Sequence, residues 1–347
     1  MATQQRMDYL AGLEEELKLP ERNGVSPVVL DLFAGCGGLA LGFEAAGFET
    51  VGFEMDADAC STYNHNLLGK CHEVVLSPGQ NLGEVADVII GGPPCQPFSV
   101  GGLQEGHNDS RNGFPAFLSA VEKYKPQLAI FENVRGMLYS SRSYFDKILD
   151  QLVDLRFKVE YKLLNAVNFG VPQRRERLFV VAHHGGWEWP KHRSSMITSG
   201  EALGELARSI PDGSKFLTES MDRYVAKYER ASKCVRPRDL HLDAPSRTVT
   251  CRNLNGATGD MLRVRMPDGR RRRLTVREGA RLQSFPDWFE FQGSEGSQFN
   301  QIGNAVPPLL AKAIAVQVAA YLDHVKHTPM QNHTGGRLNE QLTFSYD

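Results

Sequence analysis

Three features of the chain predict an α/β fold, a doubly wound and mostly parallel sheet with a second, smaller domain attached. Short apolar runs that end in glycine or a carboxylate recur through the first half, separated by stretches long enough for crossover helices. Two β-patterned runs joined by a turn follow Phe157. From Gly185 the periodicity weakens while Pro, Gly and charge increase, until a last amphipathic segment restores it.

Residues 28–33 (VVLDLF) form a continuous apolar run that ends in glycines, and 39–46 has helical spacing before Gly47, so strand, tight turn and helix open the main domain. Further strands are expected at 50–53, 74–76, 85–90 and 128–131, with helices at 114–123 and 144–155. VEYKLLNAV, the turn NFGVPQ and RRERLFVVAHH then read as two antiparallel strands closing the sheet edge. The stretch 307–325 is a helix with Pro near its start, and the tail from Lys326 is polar and expected to be loose. The resulting division is a main domain over 1–185, a small domain over 186–274, a return to the main domain over 275–325, and a tail over 326–347.

With 347 residues, 41% apolar and 23% charged, the chain is a globular protein rather than a disordered, collagenous or coiled-coil one. Its first residues, MATQQRMDYLAGLEEELKL, have no apolar core of a signal peptide, and no apolar run spans a bilayer, which predicts a cytoplasmic protein without a membrane partner. The six cysteines (Cys36, Cys60, Cys71, Cys95, Cys234, Cys251) form no CxxC pair, which fits reduced thiols and no metal site. The net charge of −2 hides a segregation: residues 222–281 hold 16 Lys or Arg against 7 Asp or Glu, a surplus of nine that leaves the remainder at −11. Such a segment suits a polyanion partner, or else a solvated surface with an Arg-rich loop at Arg270, Arg271, Arg272 and Arg273.

Three places carry chemistry. In Asp31-Leu32-Phe33-Ala34-Gly35-Cys36-Gly37-Gly38, glycines between strand and helix let backbone approach a ligand, and Glu54 ends the next strand where a carboxylate can hold ribose hydroxyls. A dinucleotide site or a ligand-free turn would read the same way. In Gly91-Gly92-Pro93-Pro94-Cys95-Gln96-Pro97-Phe98-Ser99, prolines fix the backbone around a cysteine just past the carboxyl end of a parallel strand, where open α/β sheets place reacting groups. Leu128-Ala129-Ile130-Phe131-Glu132 is a buried strand ending in a carboxylate, which sets an acid beside that nucleophile unless Glu132 only neighbours a helix start. Gln173-Arg174-Arg175-Glu176-Arg177 adds guanidinium groups at the start of a strand, fit for an anionic or carbonyl-bearing substrate or for surface salt bridges.

The motif order DLFAGCGG, GGPPCQPFS, FENV, QRRER, RRLTVREGARLQSFPDWF and QIGNAVPP resembles the DNA cytosine-5 methyltransferases, S-adenosylmethionine-dependent enzymes of bacterial restriction–modification systems, from Val28 to about Val325. The resemblance implies a Rossmann-like class I methyltransferase domain that binds the cofactor, a small target-recognition domain, and duplex DNA in the cleft between them. Cys95 would be the nucleophile, Glu132 the acid at cytosine N3, and Arg177 the anchor of the target base with Arg175 in support. The cofactor site would comprise Phe33, Gly35, Gly37, Gly38 and Leu39 of the glycine loop, Glu54 for the ribose, Met55 beside the adenine, Pro94, and the late residues Asn304 and Val306. DNA contacts would fall to Gln96, Ser99, Arg236, Arg238, Thr248, Arg252 and Asn253, with 99–108 as a closing loop. The family's acidic residue after its third strand, which meets the adenine amine, has no counterpart in Val74-Val75-Leu76-Ser77-Pro78-Gly79.

That resemblance predicts methyl transfer to C5 of a cytosine extruded from the duplex, through a covalent bond between Cys95 and C6, by a monomer that protects DNA from a cognate endonuclease acting on the same site. Three other readings compete. A tRNA cytosine-5 methyltransferase would use the same chemistry. A nicotinamide-dependent dehydrogenase would use the glycine turn and leave Cys95 and Glu132 unexplained. A catalytically inactive DNA-binding protein on the same scaffold is the last.

Overall fold

The computed structural model describes residues 2–21, 24, 26–83, 85–94, 112–193, 195–231, 238–256, 259–327 and 336–337. An N-terminal helix α1 (Ala2–Glu16) precedes β1 (Val28–Leu32), α2 (Gly38–Glu44), β2 (Glu49–Glu54), α3 (Ala57–Asn66), β3 (Lys70–Glu73), β4 (Val88–Gly91), α4 (Phe114–Tyr124), β5 (Leu128–Val134) and α5 (Arg142–Asp154). Next come β6 (Lys158–Asn165), β7 (Gln173–Arg174), β8 (Glu176–His183), α6 (Ser199–Leu203), α7 (Glu219–Ala231), β9 (Ser246–Arg247) and α8 (Cys251–Leu254). The chain closes with β10 (Arg263–Arg265), β11 (Arg271–Arg273), α9 (Val276–Leu282), α10 (Glu295–Asn304), α11 (Pro308–His327) and β12 (Gly336–Arg337).

Among the described residues the main sheet has eight strands in the order β12-β6-β8-β5-β4-β1-β2-β3. The pairs from β5 through β3 are parallel, whereas β8 runs antiparallel to both β5 and β6. Strand parity divides the core. Val29, Val88, Ile90, Leu128 and Ile130 face one side with α2, α3 and α11, while Leu30, Ile89, Ala129 and Phe131 face the other with α4 and α5. Buried on both faces, these strands are apolar except for Asp31 and the Glu132–Asn133 pair, which makes them plain in the sequence. The first of the two cores continues without a break into Leu240, Val249, Leu262, Val264 and Leu274.

The structure corrects four expectations. The third strand is Lys70–Glu73 rather than 74–76: it lies at the sheet edge and buries only Cys71, so it needs no apolar run. The antiparallel pair β6–β8 does lie at that side of the sheet, but the short β12 beyond β6 forms the outermost edge. Two residues of the tail, Gly336 and Arg337, are not loose but pair with β6 as the other edge. Finally, β5 continues past Glu132 to Val134, so the carboxylate lies within a strand rather than at its end.

The Arg270–Arg273 run is neither a free basic patch nor a solvated loop. As β11 pairs with β10, alternate side chains point to opposite faces, and Arg272 turns inward onto Glu278 with two contacts of 2.8 Å, both side chains fully buried. Its neighbours are also engaged: Arg271 lies 3.4 Å from Asp222, and Arg270 pairs with Asp268 while stacking on Phe216. Arg263, likewise buried, bridges Asp239 and Glu229. Arg263 and Arg272 thus spend their charge inside the protein, while the Arg270–Asp268 pair stays at the surface. Removing one member of a buried pair strands the other charge, so Glu278→Ala is expected to lower unfolding free energy by about 3–5 kcal/mol in chemical denaturation. A loss below about 1 kcal/mol would show that the Arg272–Glu278 contact does not hold this region.

Candidate active site

Parallel strands direct their carboxyl ends to one edge of the sheet, and β8, running the other way, brings its first residues to that same edge. This topology collects the glycine loop after β1, Glu54 at the end of β2, the Gly92–Pro94 segment after β4, Glu132 in β5 and Arg177 at the start of β8. In the β5–β8 register Glu132 faces Phe179 and Val134 faces Arg177, so Glu132 and Arg177 are diagonal neighbours on one face. Arg177 Nε meets Glu132 Oε1 at 2.8 Å, with the two side chains only 14% and 12% exposed. Burial raises the Glu132 carboxyl above its ordinary value, against the opposing pull of Arg177 and Arg175.

Cys95, Gln96 and Ser99, with the closing loop 99–108, lie outside the described residues, as does Arg236. The chain leading to Cys95 is nonetheless well anchored. Asn133 Nδ2 donates to Pro93 O at 2.9 Å, tying the segment two residues before Cys95 to the strand that carries Glu132. On its far side Gly113 N–H donates to Pro94 O at 3.0 Å. A Cβ at Gly113 would fall 2.5 Å from Pro94 Cδ and 2.8 Å from Phe33 Cζ, so Pro94 and Phe33 close on one glycine and form a common wall. Sequence reasoning gave Asn133 no role, although its place beside Glu132 in FENV was the available signal.

Around the glycine loop, Phe33, Gly35 and Gly37 adopt positive φ, and α2 begins at Gly38, so the N–H groups of Gly38 and Leu39 belong to a first turn without intrahelical partners. The Leu39 side chain itself is buried in the core. A Cβ at Gly38 would lie 2.5 Å from Val306 O, which shows how closely the late segment with Asn304 and Val306 packs on the loop. Glu54 accepts from Gly35 N–H at 2.8 Å through one oxygen and from the Met55 and Asp56 N–H groups at 2.9 Å through the other. A carboxylate has about four acceptor positions, so the three bonds fix Glu54 and still leave capacity for a hydroxyl. Next to it Met55 is 68% exposed, an apolar surface available to a planar ring. Asp31, buried beneath the loop, is held well above the usual carboxylate range by burial and by the nearby Glu54. Glu54 could hold a ribose hydroxyl and Met55 could meet a flat base in this set of groups.

Arg175 supports the site through the backbone. Its buried guanidinium donates to Val249 O at 2.7 Å, Gly303 O at 3.1 Å and Ala305 O at 3.0 Å, with burial and Arg177 lowering it to about 9. It thereby clasps the residues beside Thr248 to those beside Asn304 and Val306. Thr248 Oγ1 donates to Arg174 O at 2.7 Å, and β9 pairs with β7 immediately before the Arg177 strand. Asn253, expected to face DNA, does not: it is buried, its Oδ1 accepts from Thr250 N–H and its Nδ2 donates to Thr248 O, so its amide closes a helix cap. Arg252 is 77% exposed. Arg238 pairs with Asp260 and lies over the Tyr228 ring.

Cys36, Cys60, Cys71 and Cys251 are free thiols, and no single helix among the described residues is long and apolar enough to cross a membrane.

Comparison with known proteins gives the family. Residues 28–320 match the family described as C-5 cytosine-specific DNA methylase. The type II methyltransferase M.AplI of Arthrospira platensis is 60% identical over 326 residues, covering 93% of this chain and 94% of that protein. M.Eco47II of Escherichia coli is 35% identical, covering 86% and 80% respectively. The crystal structure of the S. pombe Dnmt2 methyltransferase shares the fold with a TM-score of 0.66 at 18% identity, over 86% of this chain and 99% of that one. With the nucleotide-fitting loop, the Glu132–Arg177 pair and these likenesses together, the chain belongs to the C-5 cytosine-specific DNA methylase family and is a DNA cytosine-5-methyltransferase of the type II restriction–modification kind.

Proposed function

We propose that the enzyme methylates C5 of a cytosine flipped out of duplex DNA at a specific sequence, using S-adenosylmethionine and a transient bond from Cys95 to C6. The observation that carries this reading is the buried Glu132–Arg177 pair, set on the strand that also tethers Pro93. Bound at the glycine loop, S-adenosylmethionine supplies an electrophilic methyl group. Glu54 would hold its ribose, Met55 and Phe33 would flank its adenine, and the first turn of α2 would meet its carboxylate. Pro94, Asn304 and Val306 would complete the cofactor side.

Cytosine C5 is a poor nucleophile until a thiolate adds at C6. The Cys95 sulfur forms that bond, electron density moves to C5 and N3, and a protonated Glu132 hydrogen-bonds N3 to offset the developing charge. A carboxyl raised by burial suits this task, and Arg177 beside it would hold the ring carbonyl. Once C5 carries the methyl group, leaving the cofactor a neutral thioether, the C5 proton would pass to water and its bonding pair would form the C5–C6 double bond, expelling the Cys95 thiolate and restoring the ring. Arg175 acts as a positioning residue, since both of its terminal nitrogens, Nη1 and Nη2, donate to backbone carbonyls.

The same reading divides the chain into a catalytic domain over 1–185, a target-recognition domain over 186–274, a catalytic return over 275–325 and a tail over 326–347. Support comes from the main sheet ending at β8 before β12 and from α11 packing on α2. We further propose a cytoplasmic monomer that protects host DNA from an endonuclease of the same specificity, as the names of its type II relatives suggest.

The test is incubation with tritiated S-adenosylmethionine and duplex DNA substituted with 5-fluorocytosine. Fluorine at C5 cannot leave as a proton, so the enzyme is expected to accumulate as a denaturation-resistant protein–DNA adduct carrying tritium. An adduct on substituted tRNA but none on DNA would move the substrate to RNA, and no adduct on either would remove the covalent mechanism.

A further inference from the structure

We infer that Asp260 is a positioning residue that presets Arg238, Arg247 and Arg252 as a phosphate clamp at the mouth of the active site. The inference deepens the duplex-DNA reading of the proposed function and rests on it. Asp260 Oδ1 accepts from Arg238 Nη1 at 2.8 Å and from Arg247 Nη1 at 2.9 Å, its backbone carbonyl accepts from Arg247 Nη2, and its Oδ2 lies 4.0 Å from Arg252 Nε. A single carboxylate thus holds two guanidinium groups by hydrogen bonds and draws on a third by charge alone, and the cluster keeps a surplus of positive charge.

Other arginines of this stretch are used differently. Arg263 and Arg272 are buried against two carboxylates and one carboxylate respectively, where they serve packing. The Asp260 cluster instead remains at the surface, with the three arginines about a third or more exposed and Arg252 the most open. Tyr228 backs Arg238, its ring centroid 5.0 Å from the guanidinium, which limits that side chain further.

The location gives the cluster a purpose. Arg247 lies in β9 opposite Arg174 of β7, and three residues beyond Arg174 stands Arg177, paired with Glu132. Thr248, next to Arg247, is bonded to the Arg174 carbonyl. A backbone phosphate gripped by the cluster would therefore be held in a fixed relation to the strand that anchors the target base. An acidic side chain facing a polyanion is unfavourable unless it returns something, and here it returns orientation to three long side chains that would otherwise lose freedom on binding. The lost repulsion is weak at a solvated surface, so orientation dominates.

The test measures methylation of unmethylated mixed-sequence plasmid DNA with tritiated S-adenosylmethionine, as kcat and KM for DNA, between roughly 50 and 200 mM salt. Asp260→Ala is expected to raise KM for DNA roughly tenfold, with kcat nearly unchanged and S-adenosylmethionine affinity unaltered, and Asp260→Glu to restore most of the loss. Arg252→Gln should reduce the slope of log KM against log salt by about one, the mark of one lost phosphate contact. An unchanged or lower KM in Asp260→Ala would overturn the positioning role. So would a parallel fall in cofactor affinity and thermal midpoint, the signature of a structural residue. An unaltered salt slope in Arg252→Gln would overturn the phosphate assignment without needing Asp260 to be replaced. Absence of DNA methylation by the unsubstituted enzyme would overturn the clamp and the duplex reading together, whereas normal turnover with unaffected variants would remove the clamp alone.

Discussion

Cys95→Ser is expected to reduce methyl transfer to the level of an enzyme-free control while leaving DNA binding nearly intact. Serine keeps nearly the size and shape of the side chain, but at neutral pH its hydroxyl is almost never ionised and is a far weaker nucleophile than a thiolate. Pro93 and Pro94 are held from both sides, by Asn133 and Gly113, so the substituted side chain starts from the same anchored loop. The loss should therefore lie in chemistry rather than position. The measurement is single-turnover methylation beside a gel-shift titration of the same DNA. Turnover close to that of the unsubstituted enzyme would remove Cys95 from the mechanism.

Glu132→Gln should slow the chemical step by roughly two to four orders of magnitude, the usual contribution of a positioned general acid. Glutamine can still donate to N3 but cannot supply a proton, and it weakens the hold on Arg177, whose Nε now meets a carboxylate oxygen at 2.8 Å. S-adenosylmethionine affinity should stay the same, because Glu54 and the glycine loop lie on other strands. An equal loss in cofactor binding would assign Glu132 a structural role. The pH profile offers a second readout. A protonated Glu132 is lost as pH rises through its raised folded value, so the limb where rate falls with rising pH should vanish in the glutamine variant. Linkage runs the same way for stability: a raised folded value contributes stability that is complete below the unfolded value and lost as pH rises through the folded one. Thermal midpoints of the variant should accordingly vary less with pH in that window.

The parts of this fold that could be read from sequence are those where burial leaves a periodic trace. β1, β4 and β5 are largely apolar and α4 and α5 carry clear amphipathic spacing, so these elements and the end of β2 at Glu54 are legible in the sequence, whereas the strand order is not. β3 left no trace because an edge strand with the sequence KCHE buries one residue in four. Helix α7 was equally silent, as only Val225 among its residues is buried.

At the site, residue types were legible but their partners were not. Asn253 looked like a group for reading DNA because it is polar and lies among arginines, yet the Thr250-x-x-Asn253 capping pattern was present and decides its fate. In the same way, the four consecutive arginines gave no hint that strand parity would send Arg272 inward to Glu278. Arg175 and Arg177 differ by two positions in one motif, but a change from loop to strand gives one to backbone carbonyls and the other to Glu132. Such outcomes depend on long-range partners, which a single sequence does not display.

Helix α1 lies outside the matched family region, yet Leu13 and Leu17 are buried in the main core and Glu14 accepts from Asp287 N–H, 273 positions away. Lys312 of α11 reaches the Glu16 carbonyl across 296 positions. An early segment of the sequence is thus seated by residues almost 300 positions later. At a synthesis rate of about 5–20 residues per second, α1 must wait on the order of 15–60 s before its seat exists. During that interval its apolar face has no native partner, and only local helix formation is open to it. Docking of α1 is therefore a late event in biosynthesis, one that can take place only after α11 has emerged.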